Sequence, residues 1–257
     1  MDNNSIIFSP DANEIRKYKA VQAIIKQFPN LAGRRDALLE SMYDTKILLE
    51  SEFSVSSNKI DFFTSDKVNT LKGEIKLNFE DGFVVTSIMP GVRRVVDLIA
   101  WKGDPGFPYA SPRYFDGRNG ASGTLEYQAL NAFFQGKLSL SANTEVLFQN
   151  YPMQTLINYP ISDYVPANGS IPQSFPSFQS ADNAVAIYPQ RCLVGNTSYR
   201  FTVQFADDTA FDAIKGYLKA DGTTTRTPAS RNVAVLEVRG FVIPGMATTA
   251  LMIDGRN

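Results

Sequence analysis

The chain has 257 residues, with 25 Lys plus Arg against 26 Asp plus Glu, a formal net charge of −1, no histidine and one cysteine. That length suits one large all-β unit or two domains of about a hundred residues, and 44% hydrophobic, 20% charged and 12% aromatic residues exclude an extensively disordered chain. The near-neutral balance supplies no global attraction to nucleic acid or an anionic membrane, while the lack of histidine excludes Ser-His-Asp, Cys-His and HExxH chemistry, and the lone Cys192 excludes an internal disulfide or a multi-thiolate metal site.

The first residues, MDNNSIIFSPDANEIRKYKA, carry no basic start followed by an apolar signal core, and no run of about eighteen apolar residues occurs anywhere, so a cytosolic origin, including a host cytoplasm, is expected. From Asp11 to Phe28 the residues Ile15, Tyr18, Val21, Ile24, Ile25 and Phe28 recur at spacings of three and four, which predicts an amphipathic helix ended by Pro29. Its other face carries Arg16, Lys17, Lys19 and Lys26. Such a helix either docks on its own domain or meets a partner or membrane surface.

A second helical pattern runs from Asp36 to Leu49 through Leu38, Leu39, Met42, Tyr43, Ile47 and Leu48. Ser51 to Asp66 reads as a connector in which Ile60, Phe62 and Phe63 could make a short strand. In Leu71 to Phe79, Leu71, Gly73, Ile75, Leu77 and Phe79 alternate with Lys72, Glu74, Lys76 and Asn78. That alternation predicts a half-buried strand, joined through Asp81-Gly82 to a second apolar run ending at Ile88 as a hairpin.

Val92 to Trp101 continues the strand pattern, with Arg93-Arg94 read as a solvated strand start and only weak evidence for anion binding. Lys102 to Gly123 is a proline- and glycine-rich loop holding Phe107, Tyr109, Tyr114 and Phe115, aromatics that need a surface to pack on. Thr124 to Gln135 suits a helix or a strand start. Lys137 onward predicts strand, turn at Asn143, and strand. A second proline-rich loop, Tyr164 to Ser180, bears Phe175 and Phe178.

Beyond a Gly195-Asn196 turn, Tyr199, Phe201, Val203 and Phe205 alternate with polar residues, and Asn232 to Ile243 predicts a long strand with Ala234, Leu236, Val238 and Val242 on one face and Glu237 and Arg239 on the other. Thr209 to Lys219 could form a loop helix. No GxxxxGK[ST] phosphate loop and no strand–GxGxxG–helix unit is present. The acidic pairs Glu80-Asp81 and Asp207-Asp208 leave two-carboxylate glycosidase chemistry formally open, although both sit where turns and caps use Asp.

Many short strands without strand–helix alternation predict a mainly β chain of antiparallel sandwiches. The stretches GKLSLSANTEVLFQNYPMQTLI, YPQRCLVGNTSYRFTVQF and RNVAVLEVRGFVIP, behind a helical leader, resemble a jelly-roll viral major capsid protein. The nearest likeness is to the double jelly-roll capsid proteins of tailless, membrane-containing bacterial viruses, and it spans roughly Leu71 to the C-terminus. It implies a helical leader and connector over 1–55, a first jelly roll over 56–151 and a second over 152–257. About two hundred residues after the leader are close to the minimum for two rolls, so one elaborated jelly roll is the alternative.

The resemblance also implies a function. The chain would be a structural subunit of a bacteriophage capsid, not an enzyme and without cofactor, assembling through homotrimeric capsomers into an icosahedral shell in the host cytoplasm. Phe107, Tyr109, Tyr114, Phe115, Phe175 and Phe178 are the candidate interface residues, because aromatics favour interface cores. Arg16, Lys17, Lys19 and Lys26 are the candidate residues facing lipid headgroups or genome phosphates. The rival readings are a carbohydrate-binding β-sandwich module and a carboxylate-dependent glycosidase.

Overall fold

The computed structural model describes residues 12–53, 58–64, 71–97, 99–100, 102–103, 132–156, 185–205 and 231–247. Nine strands are formed among them: β1 (Tyr43–Glu52), β2 (Lys59–Phe63), β3 (Gly82–Asp97), β4 (Lys102–Gly103), β5 (Lys137–Ala142), β6 (Glu145–Pro152), β7 (Val185–Val194), β8 (Tyr199–Gln204) and β9 (Arg231–Ile243). They make two antiparallel sheets. The first runs β1-β9-β3-β4, with β7 also paired to β3; the second runs β2-β8-β5-β6. The protein is therefore a mainly β sandwich.

The inner faces follow from the period of two along each strand. Leu49, Phe83, Val85 and Leu236 of the first sheet pack against Phe62, Leu140, Phe201 and Val203 of the second in one core. Phe133, from a helical turn just before β5, adds edge-to-face contacts with Phe53, Phe134 and Phe205 at centroid separations of 5.6, 5.0 and 6.1 Å. Such ring pairs add about 0.5–1.5 kcal/mol each beyond their burial.

The first sheet is also covered on its outer face. Helix α1 (Ala12–Gln27), a 3-10 helix (Pro29–Arg34) and helix α2 (Arg35–Ser41) place Ala20, Val21, Ile24, Leu31 and Leu38 against Val84, Cys192, Phe241 and Ile243. This two-sided burial explains why β9 reads as a nearly continuous apolar run while β8, polar on its outer side, alternates strictly. Fully burying one residue such as Ile24 contributes about 1.5–3 kcal/mol, so α1 is part of the fold and not an appendage.

A bulge at Thr86 shifts the register of β3 against both β9 and β7. The Thr86 hydroxyl donates to the Arg239 carbonyl at 3.1 Å. Beside it the backbone of Val84 runs so close to Gly240 that any Cβ there would overlap the Val84 carbonyl oxygen, and only glycine fits.

The predicted α1, β2, β5, Asn143 turn (φ 52°), β6, β8 and β9 are all present, as is the division of β9 faces. Two readings are corrected. The helical pattern over Asp36 to Leu49 is a seven-residue helix followed by β1, because Leu38 and Met42 belong to the helix-covered cluster whereas Ile47 and Leu49 belong to the inter-sheet core. The Leu71–Ile88 hairpin does not form. Residues 71–78 pair with the sheet through a single β-bridge, Ile75 to Leu48 on β1, while β3 pairs with β7 and β9, about a hundred residues or more further along the chain.

The 151/152 division is not reflected in the sheets. β1, β3 and β4 join β7 and β9 in the first, and β2, β5 and β6 join β8 in the second. β1, assigned to the leader and connector, pairs with β9 at ten positions from Tyr43 to Glu52. The described strands thus close one sandwich.

Candidate assembly surfaces

Three sets of polar contacts fix the surfaces of the sandwich, and each begins with a charged or amide side chain that a strand or helix pattern delivers to one place. The first is the turn before β3. Asp81 accepts from the Gly245 N–H (3.1 Å) and from the Asn78 side-chain amide (3.3 Å), and its carbonyl accepts from the Gly195 N–H (2.7 Å). The Glu80 carbonyl accepts from Ala247 at 3.0 Å. One acidic turn thereby ties the chain following β7 to the chain following β9. Asp81 is structural, though not as the turn of a hairpin between residues 71–79 and β3, and Glu80 contributes its carbonyl.

The second set docks α1. Arg16 forms an ion pair with Asp44 at the start of β1 (3.1 Å), and its guanidinium lies 5.3 Å from the centroid of the Phe241 ring. Arg16 is therefore turned onto the protein's own sheet. Lys17 is half-buried, and Lys19 and Lys26 are exposed. Of the four basic residues singled out in the sequence, these three remain available to an anionic surface.

The third set lies on the outer face of the first sheet beyond α1. Arg93 Nη2 is 2.6 and 2.8 Å from the two carboxylate oxygens of Glu50, and both side chains are largely buried. Glu237 holds Arg239 Nε at 2.6 Å and Lys46 Nζ at 3.2 Å. Glu74 pairs with Lys76 at 3.3 Å, with side-chain exposures of only 2% and 9%. Burial pushes the Glu74 carboxyl above its ordinary value, opposed by Lys76 and by the Glu50 backbone N–H that donates to it, while the neighbouring Glu50 charge adds to the rise.

These positions were missed in the sequence or assigned to solvent. Arg93 is not a solvated strand start but half of a buried ion pair. Glu74 and Lys76, placed on the polar side of a strand, have largely buried side chains; Ile75 and Phe79, placed on the apolar side, are 57% and 67% exposed. The available signal was a charge inside each apolar run, in ILLESE, VRRVV and VLEVRGF. Charges there need partners.

Four of the edge strands among the described residues, β1, β7, β2 and β6, are blunted in different ways, and strand addition is disfavoured at each of them. On β1, Leu48 exchanges both backbone hydrogen bonds with Ile75 (3.0 and 2.9 Å), and the Glu74 carboxylate takes the next outward N–H. On β7, the Gln27 side-chain amide accepts from the Cys192 N–H and donates to its carbonyl, each at 3.0 Å. β2 is short and carries a Lys59–Asp61 pair (3.5 Å). β6 is bulged twice against β5, with Asn150 at φ 58°.

The exposed large apolar side chains among the described residues are Ile15, Tyr18, Tyr43, Ile75, Phe79, Ile99, Val146 and Tyr188; Ile15 and Tyr18, placed on the apolar stripe of α1 by their spacing, lie towards its outer side. Phe107, Tyr109, Tyr114, Phe115, Phe175 and Phe178 lie outside the described residues, as do Asp207, Asp208, Trp101 and the loop helix over Thr209 to Lys219. Cys192 is fully buried, and that burial pushes its thiol up to about 12; it packs as a small apolar residue beside Met246. Among the described residues no group of three or more His, Cys, Asp or Glu side chains is placed to hold a metal ion, and no helix is long and apolar enough to cross a membrane. No protein-family model and no curated protein sequence matches the chain.

Proposed function

We propose that the chain is a structural capsid subunit of a bacteriophage, built on one jelly roll and assembling through homotrimeric capsomers into an icosahedral shell. The observation that carries this reading is the strand order. With the two-residue β4 set aside, β1-β9-β3-β7 and β2-β8-β5-β6 interleave early and late strands as two nested Greek keys do, the wiring of eight-stranded jelly rolls, which recur in viral capsids, lectins and cupins. Metal-dependent cupin chemistry requires histidines that the chain lacks. Fold alone does not decide among the remaining uses.

What favours assembly over sugar binding is the surface. Blunted strand edges keep a concentrated subunit from pairing edge to edge, and exposed apolar side chains such as Phe79 and Tyr188 offer anchors for a side-chain interface. The buried carboxylates Glu50, Glu74 and Glu237 are engaged by cations, which suits a rigid wall better than an acid–base pair. Lys17, Lys19 and Lys26 then face lipid headgroups or genome phosphates inside the shell.

Native mass spectrometry combined with electron microscopy of the purified chain tests the reading. A stable trimer that forms tiles or shells is expected. A monodisperse monomer that retains or cleaves glycans would replace it with the carbohydrate reading.

A further inference from the structure

A hollow of about 190 Å³ opens on the helix-covered side of the first sheet. Leu31 of the 3-10 helix, Leu38 of α2, Ile243 at the end of β9 and Met246 in the turn beyond it line it, and each is less than a tenth exposed. Ala37 and Pro244 also contribute apolar surface. Of its two polar residues, Ser41 spends its hydroxyl proton on the Leu38 carbonyl at 3.2 Å. The other is Arg34, exposed and in no ion pair among the described residues. Asp36 and Glu40 of α2 do not line the hollow.

The hollow is open to solvent, so a ligand that covers its apolar floor removes that surface from water, and its volume is of the order of an enclosed cavity of about 150 Å³ that accommodates benzene in an engineered protein. The single ionic group is a guanidinium, whose planar fork matches a carboxylate and is weakly hydrated. From this combination we infer that the hollow binds the tail of a single-chain anionic amphiphile, an alkyl carboxylate, with its head on Arg34. The site lies within one chain, so it stands whether or not the chain builds a shell. An alkyl tail beneath one negative head is offered both by a free fatty acid and by an anionic lipid in a bilayer, the lipid presenting a phosphate to the guanidinium in place of the carboxylate.

Calorimetric titration of the full chain with hexanoate, octanoate and octanol tests the site. Octanoate is expected to bind once per chain, tighter than hexanoate by roughly fourfold per methylene and tighter than octanol by about tenfold, the worth of a charged hydrogen bond. Arg34→Gln should erase the preference for octanoate over octanol, and Ala37→Phe, which fills the hollow from an exposed helix position, should abolish binding while leaving the melting temperature unchanged. The octanoate–octanol comparison on the unaltered protein needs no variant to fold.

Flotation with phosphatidylglycerol vesicles separates the two sources. Co-flotation lost in Ala37→Phe assigns the site to bilayer lipid, and octanoate binding without flotation assigns it to a free carboxylate. No octanoate binding by the unaltered chain, equal binding by Ala37→Phe, or vesicle binding that survives Ala37→Phe would overturn the inference. In the last case the charge of α1 would be the cause.

Discussion

Gln27, the last residue of α1, holds both backbone groups of Cys192 on β7, with Nε2 donating to the carbonyl and Oε1 accepting from the N–H at 3.0 Å each. A primary amide carries one acceptor and one donor side by side, the same valence that a neighbouring strand would present. The side chain therefore ends the sheet where another strand could have joined, and it fixes the helix to an edge 165 residues later in the chain.

Replacing Gln27 with Met should remove both bonds while keeping the helix propensity and the packing volume. Two partly buried backbone groups would lose their partners, at about 1–3 kcal/mol each. Urea unfolding should show a lower midpoint with an unchanged slope, and limited proteolysis should begin within α1. A midpoint equal to that of the parent would mean that water replaces the amide without loss.

The thiol of Cys192 sits in the same joint, 3.6 Å from the Met246 sulfur, with its titration pushed up to about 12 by burial. Only the thiolate reacts. At pH 8 the native protein should resist an aromatic disulfide reagent and react stoichiometrically in denaturant, with a native-state rate that follows opening of α1. Gln27→Met should accelerate it. Complete labelling of the unaltered native protein within seconds would contradict the packed joint.

What the sequence revealed of this fold depended on whether a residue's environment was set locally. Tyr199, Phe201 and Val203 alternate because β8 has one wet face, and that alternation is visible in six residues. Ala234, Leu236 and Val238 could be assigned to one side because Glu237 and Arg239 marked the other. Leu38 and Ile47, by contrast, look like one helical stripe although they serve different cores, and nothing nearby marks the boundary at Met42. Ile75 and Glu74 were exchanged in their burial because their partner is β1, more than twenty residues earlier, and its charged outer row was itself invisible. The candidate assembly surface was legible only in part. The basic helix was found, yet Arg16 is taken by Asp44 and Phe241, a contact that no periodicity encodes.

Glu50 and Arg93 form a buried pair across β9, and a buried pair differs from a surface one in what its halves cost alone. Removing one partner leaves an uncompensated charge and destabilises by about 3–5 kcal/mol, whereas replacing both by apolar groups of similar size is often neutral. Glu50→Leu and Arg93→Met should each lower the urea midpoint sharply, and the double variant should recover most of the loss. A double variant as unstable as the sum of the singles would show that the two residues act independently.

Glu74 gives the protein a pH dependence whose sign follows from its burial. Its carboxyl titrates above the ordinary 4.5 in the folded chain because desolvation outweighs the help of Lys76 and the Glu50 N–H. The folded state then binds this proton more tightly than the unfolded state, so the stabilisation is fully present below the unfolded value and is lost as pH rises through the folded one. Glu74→Gln keeps an acceptor for the Glu50 N–H and removes the charge. Comparing urea midpoints from about pH 4 to pH 8, the parent should lose stability relative to Glu74→Gln as pH increases, and the difference should level off once the folded-state carboxyl is fully ionised. A difference that is constant across the range would mean that folding leaves the carboxyl's hold on its proton unchanged, and one that grows as pH falls would mean that the ionised carboxylate is the better-held form and that the Lys76 contact outweighs burial.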